Sequence, residues 1–194
     1  SDLTLCSIVE NRGDEIMQCC DSVVLEVDMK ADIADKVFDL AEKYRRDVYV
    51  VVGNMSVILK RQDLLPRARM FILNEIEAGA LFDRALEQDK PMEVLEIAKS
   101  EALKRGIREI VVTLGSHGAV FFDAQSGDCG HIPAEEARMV DSTGAGDAFF
   151  SGTIAARMHG FSLRDAAFRG AHLAALTIQS AESTCPRLEH FLEV

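Results

Sequence analysis

The chain has 194 residues, 48% hydrophobic and 27% charged, which is enough apolar material for a buried core and excludes a disordered, collagenous or fibrous protein. Its 21 Lys and Arg face 32 Asp and Glu, a net charge of −11 that argues against a surface condensing on nucleic acid or anionic lipid. Any phosphate it binds must be held locally, and its apolar runs, such as Val48–Val52, fall far short of the ~20 residues of a membrane span.

Hydrophobic periodicity predicts alternating strands and helices, the pattern of a largely parallel sheet covered by helices. Ser22–Val27 is a compact β-branched run, and the helix predicted over Ala31–Tyr44 puts Ile33, Val37, Leu40 and Ala41 on one face. Val48–Val52, closed by Gly53-Asn54, reads as a strand buried on both faces; Arg69–Leu73 reads as a shorter strand entering a helix after Asn74. Glu93–Arg105 is a further helix, stopped by Gly106, that feeds the strand Glu109–Leu114. Gly115-Ser116-His117-Gly118 turns that strand into Ala119–Phe122, and Ser126-Gly127-Asp128 turns again toward Cys129–Ile132, so this part is antiparallel. Beyond Asp141 the pattern is helical over Ala145–Met158, Leu163–Gln179 and a short stretch Leu188–Leu192. Arg45-Arg46 reads as a cap on its own helix and Lys60-Arg61 as a solvated face. No repeat or linker divides the chain, so residues 1–194 read as one α/β domain. The five cysteines include no Cys-x-x-Cys pair and the N-terminus has no basic n-region, which points to a reducing, cytoplasmic location.

The densest chemical signal is Asp141-Ser142-Thr143-Gly144-Ala145-Gly146-Asp147-Ala148-Phe149-Phe150-Ser151-Gly152, a glycine-rich turn running into an apolar helix. With Gly144, Ala145 and Gly146 in the first turn, unpaired N–H groups and the positive end of the helix dipole face outward. That makes an anion site without Lys or Arg. Asp147 follows those amides, so its carboxylate can face whatever attacks a bound phosphate. Packing explains the same small residues by close helix–strand approach, and spacing alone does not separate the two readings. A dinucleotide-binding turn fails because Phe149 stands where the third glycine belongs, and a Walker A loop fails because no Lys-Ser or Lys-Thr follows.

Asp141–Gly152 resembles the C-terminal signature of the ribokinase-like sugar kinases, the PfkB carbohydrate kinase family. Two further segments match in the family's order. Asn74-Glu75-Ile76-Glu77 resembles its N-x-x-E motif, and Val112–Ala119 resembles its T-L-G-x-x-G nucleotide segment. The likeness runs from about Asp21 to the end of the chain.

The resemblance implies a ribokinase-like fold, a central mostly parallel sheet flanked by helices, and transfer of the γ-phosphoryl group of ATP to a hydroxyl of a sugar or nucleoside. It makes Asp147 the catalytic base and places Gly144, Ala145 and Gly146 at the anion hole. Thr113, Gly115 and Gly118 would contact nucleotide, and Ala171, Ala174 and Ala175 would pack near its adenine. Asn74 and Glu77 would serve the nucleotide's phosphates, with Glu77 ordering water around Mg²⁺, although an N-cap and its capping partner account for both residues on their own. Asp141 and Thr143 resemble positions that hold a monovalent cation, K⁺. The segment Gln179–Pro186 lacks the family's glycine-containing turn, which counts against K⁺ activation, and it resembles the corresponding segment of pseudouridine kinases.

Expected partners are a small-molecule sugar or nucleoside and, in the complete protein, a second copy in a homodimer, with neither nucleic acid nor membrane. Family members carry lid elements and a Gly-Gly motif ahead of the strand at Ser22, and Ser1–Gln18 has no such motif. The chain is therefore expected to be the nucleotide-binding, catalytic portion of a kinase, N-terminally incomplete. A nucleotide-binding regulatory protein that transfers no phosphate is the alternative, and retention of Asp147 beside Gly144-Ala145-Gly146 argues against it.

Overall fold

The computed structural model describes residues 2–27, 31–180 and 185. Six strands form one sheet in sequence order: β1 (Ser22–Glu26), β2 (Asp47–Val51), β3 (Met70–Asn74), β4 (Glu109–Thr113), β5 (Ala119–Asp123) and β6 (Cys129–Ile132). β1 to β4 are parallel, and β5 and β6 continue the sheet antiparallel. The parallel strands are joined through α2 (Ala31–Tyr44), then α3 (Met55–Lys60) with a 3-10 turn (Gln62–Arg67), then α4 (Glu75–Phe82) with α5 (Pro91–Arg105). An N-terminal helix α1 (Asp2–Cys19) precedes them, and α6 (Ala145–Met158) and α7 (Leu163–Thr177) follow β6.

Strand alternation divides the core into two layers. Phe71, Leu73, Ile110, Val112, Val120 and Phe122 pack with α1 to α5 on one face. Met70, Ile72, Val111, Ala119, Phe121 and Ile132 pack under α6 and α7 on the other. With both faces covered, β3 and β4 need no polar side, which is why they read as continuous apolar runs. α5 starts on Pro91, two residues before its expected start at Glu93, and ends as expected where Gly106 turns left-handed (φ +70°).

Most predicted elements shift by only a residue or two at their ends, and Leu188–Leu192 lies outside the described residues. The additions are α1, α3 and the 3-10 turn, none of which the periodicity marks. Arg45-Arg46 caps its own helix as its sequence predicts: Arg45 is left-handed (φ +54°), its amide donates to the Glu42 carbonyl at 3.1 Å, and the Arg46 amide donates to the Ala41 carbonyl at 2.8 Å. The Arg46 side chain also donates to the carbonyls of Met17 (2.9 Å) and Gln18 (3.4 Å) at the end of α1. Lys60-Arg61 differs from expectation. Arg61 donates from Nε to Asp63 (2.9 Å) and from its terminal nitrogens to Asp35, tying α3 to α2.

Candidate active site

The predicted site residues gather at the C-terminal ends of the parallel strands, where ligands bind in open α/β sheets. Asn74 ends β3 and stands in register with Thr113, which ends β4. Asn74 Oδ1 accepts from the Glu77 amide at 2.8 Å, and Glu77 Oε2 accepts from the Asn74 amide at 2.8 Å. This closes a capping box at the start of α4 and commits one oxygen of each side chain to the backbone. Asn74→Ala is expected to destabilise the fold by about 0.5–2 kcal/mol, read as a lower midpoint in thermal denaturation.

After Thr113 the chain makes a 3-10 turn over Gly115–His117 and leaves it through Gly118 at φ +86°, ψ −133°, a conformation essentially reserved for glycine. A Cβ on Gly118 would stand 2.0 Å from the Ile132 carbonyl oxygen. The turn is therefore pressed directly against the end of β6.

α6 begins without a side-chain cap, on Gly144 in the left-handed conformation (φ +81°). One detail corrects the expectation from sequence. The Ala145 amide is not open: it donates to the Ser142 carbonyl at 3.2 Å, because the turn before the helix closes on itself. The positive φ of the turn falls on Gly144, and a Cβ on Gly146 would meet nothing within 4 Å. The amides of Gly146 and Asp147 have no acceptor among the described residues, so they are the open donors of this helix start. Asp141 Oδ1 accepts from the Thr143 amide at 2.8 Å, and that bond holds the Asp141 carboxyl below the usual carboxylate range. Asp147 is exposed, and its carboxylate makes no hydrogen bond or ion pair among the described residues.

A cavity of about 580 Å³ opens between these turns. Of the predicted residues it is lined by Thr113, Gly115, Gly118, Ala145 and Gly146, together with Ala171, Ala174 and Ala175 of α7. Asn74, Glu77, Asp141, Thr143, Gly144 and Asp147 lie outside its wall. Sequence reasoning missed the stretch 133–140, which supplies Ala134, Glu135, Glu136, Ala137 and Met139 to the wall beside Ser142 of the glycine-rich motif. No motif marks that stretch, because its role comes from where the fold lays it. A smaller cleft of about 270 Å³, lined by Arg45, Arg46, Arg67 and Arg108 among others, sits at the opposite, N-terminal ends of β2 and β4. Among the described residues no three His, Cys, Asp or Glu side chains converge to hold a metal.

α6 is fixed at its C-terminal end and along its length. At its C-terminal end Arg157 forks onto Glu109, which is 1% exposed at the start of β4 and is shared with Arg69. Along its length Gly152 faces Gly170 of α7 so closely that a Cβ on Gly170 would stand 2.1 Å from Thr153 Oγ1. The turn carrying Asp147 thus rests on a helix that cannot shift without disturbing a buried charge and a backbone contact.

Comparison with known proteins agrees with this architecture. The chain is 31% identical over 163 residues to a guanosine-inosine kinase from Exiguobacterium acetylicum, covering 84% of this chain and 53% of that protein. It is 27% identical to the ribokinase of Schizosaccharomyces pombe, covering 90% of this chain and 55% of that protein. The structure of Arabidopsis thaliana ribokinase complexed with ribose and ATP superposes with a TM-score of 0.80 at 25% identity, covering 94% of this chain and 58% of that chain. The chain therefore has the ribokinase-like α/β fold and spans about half the length of the curated relatives that it matches. The family model described as pfkB family carbohydrate kinase matches residues 13–189, and the chain belongs to that family.

Proposed function

We propose that this chain is the nucleotide-binding, catalytic portion of a kinase that transfers the γ-phosphoryl group of ATP to a hydroxyl of a ribosyl-bearing acceptor, a free pentose or a nucleoside. The observation that carries this reading is the composition of the cavity. One wall is the shallow apolar surface of Ala171, Ala174, Ala175 and Ile178, suited to a flat base. Another is the start of α6, where the open amides of Gly146 and Asp147 offer fixed donors to phosphate oxygens.

Magnesium, carried by the nucleotide phosphates, would spread the charge of the transferring group. Glu77 keeps Oε1 free of any hydrogen bond among the described residues, so it could order water on such an ion while Oε2 stays in the capping box. Asp147 accepts the proton of the acceptor hydroxyl as that oxygen bonds to phosphorus and the bond from phosphorus to the ADP oxygen breaks. Asp141 and Thr143 are accounted for by their own turn, so the proposal carries no K⁺ step. A regulatory, non-transferring role is set apart by the same residue, since it has no use for an exposed, unpaired carboxylate beside open amides.

The relatives named for guanosine and inosine and for ribose share a ribosyl unit, which motivates the acceptor class. Pseudouridine falls within it. The test is the complete gene product with ATP and Mg²⁺, comparing kcat/KM for guanosine, inosine, pseudouridine, ribose and fructose 6-phosphate. A preference of about tenfold or more for one ribosyl-bearing acceptor over fructose 6-phosphate is expected, and the reverse preference rejects the acceptor class while leaving phosphoryl transfer intact.

Gly146→Val tests the phosphate end separately. With no neighbour to meet inside the fold, the new side chain leaves the melting temperature unchanged and obstructs the approach to the amides. Binding of ATP should weaken by about tenfold or more, the value of a charge-assisted hydrogen bond, with little change for adenosine. Equal losses for both ligands in calorimetry would count against a phosphate site.

A further inference from the structure

The connection 133–144 joins β6 to α6 with neither helix nor strand, yet it forms a large part of the cavity wall. It has little apolar anchorage of its own, since Met139 is 68% exposed and Val140 is 58% exposed. Polar tethers to α7 hold it instead. His172 Nδ1 lies 2.9 and 3.0 Å from the two carboxylate oxygens of Glu135 and, facing acceptors only, is the protonated nitrogen of the ring. Further along, the amides of Val140 and Asp141 both donate to the Ile178 carbonyl, at 2.7 and 3.3 Å. The first attachment is a single side-chain pair, half-buried and bifurcated. The second is backbone and indifferent to side-chain identity.

We propose that His172 and Glu135 form a latch that holds residues 133–144 against α7, making both of them positioning residues for the base of the bound nucleotide. The proposal rests on the nucleotide reading of the cavity for its functional half only. Glu135 lines the cavity wall and His172 does not, so the latch acts from behind the strap. Latching also keeps both Glu135 oxygens engaged with the imidazole. A released Glu135 would leave an unpaired carboxylate in the wall of a site meant for a polyanion, which disfavours ATP in addition to loosening the wall.

Arg138 lies within the strap and is exposed, which gives a readout that needs no ligand. In the ligand-free protein, trypsin cleavage of the Arg138–Met139 bond, followed by mass spectrometry, should be several-fold faster in His172→Ala and in the milder Glu135→Gln. The double variant Glu135→His with His172→Glu, which restores the pair in reverse, should return toward the wild-type rate. In parallel, the affinity for ATP and ADP should fall by about 3–10-fold in the single variants, the range of one partly exposed hydrogen bond. An unaltered cleavage rate in both single variants overturns the latch. Faster cleavage with unaltered nucleotide affinity overturns its positioning role. Failure of the wild-type protein to bind ATP overturns the nucleotide reading, and the cleavage rates still decide whether the latch exists.

Discussion

Replacing Asp147 by Asn lowers kcat of the complete gene product by about 10²–10⁴-fold, the usual contribution of a positioned general base, while the Kd for ATP stays within about threefold of wild type. Both halves follow from where the residue stands. Its carboxylate is exposed and makes no hydrogen bond or ion pair among the described residues, so the amide can replace it without breaking a bond of the fold. The backbone amide of residue 147 is retained in the variant, so the phosphate donors are intact. Steady-state kinetics and calorimetry on one preparation separate the two effects. Turnover close to wild type would remove Asp147 from the chemistry and leave the amides as the only feature of this turn that acts on the phosphoryl group.

The second large effect is on the fold. Gly118→Ala is expected to cost at least about 2 kcal/mol, because two penalties of roughly 1–3 kcal/mol each coincide. The backbone at φ +86°, ψ −133° is strained for any residue with a Cβ, and that Cβ would stand 2.0 Å from the Ile132 oxygen and 2.7 Å from the Ala134 nitrogen. Both obstacles are backbone atoms, so no rotamer change relieves them. At roughly 2–4 °C per kcal/mol for a chain of this size, the melting temperature falls by about 4 °C or more. Because the strap begins at the same contact, nucleotide affinity should drop as well. A variant with unchanged melting temperature would mean that the turn and the end of β6 separate more easily than their packing implies.

The central sheet was legible because it is buried on both faces. Val48, Tyr49 and Val50, or Ile110, Val111 and Val112, have no solvent side to encode and appear as unbroken apolar runs. The glycine-rich turn before α6 was legible because its chemistry lies in consecutive residues. α1 was not. The side that meets the rest of the protein includes Cys6, Val9, Gly13 and Met17, with Gly13 against Leu40, while Ile8 and Ile16 are 42% and 41% exposed. Apolar residues on both sides, and a glycine at the contact, erase the period on which a helix is recognised. The strap was invisible for a different reason: Ala134, Glu135 and Ala137 matter only because β6 delivers the chain across the cavity mouth, and no spacing within 133–144 records that. The resemblance to a family implies roles for the motif residues, but it places the open donors one residue too early. The hydrogen bond from Ala145 to Ser142 belongs to turn geometry, and a motif does not specify it.

The contact between Gly152 and Gly170 bears on how the protein could close around a bound ligand. Where two helices meet through side chains, they can slide by exchanging rotamers; where they meet backbone to backbone, there is no such bearing surface. The α7 wall of the cavity and the α6 turn with Asp147 consequently travel as one block, with the distance between them set by the helix pair and insensitive to what is bound. Such a unit behaves as an anvil. The acceptor must be carried to it by parts of the molecule beyond this pair, and substitutions that tune closure should be sought away from α6 and α7.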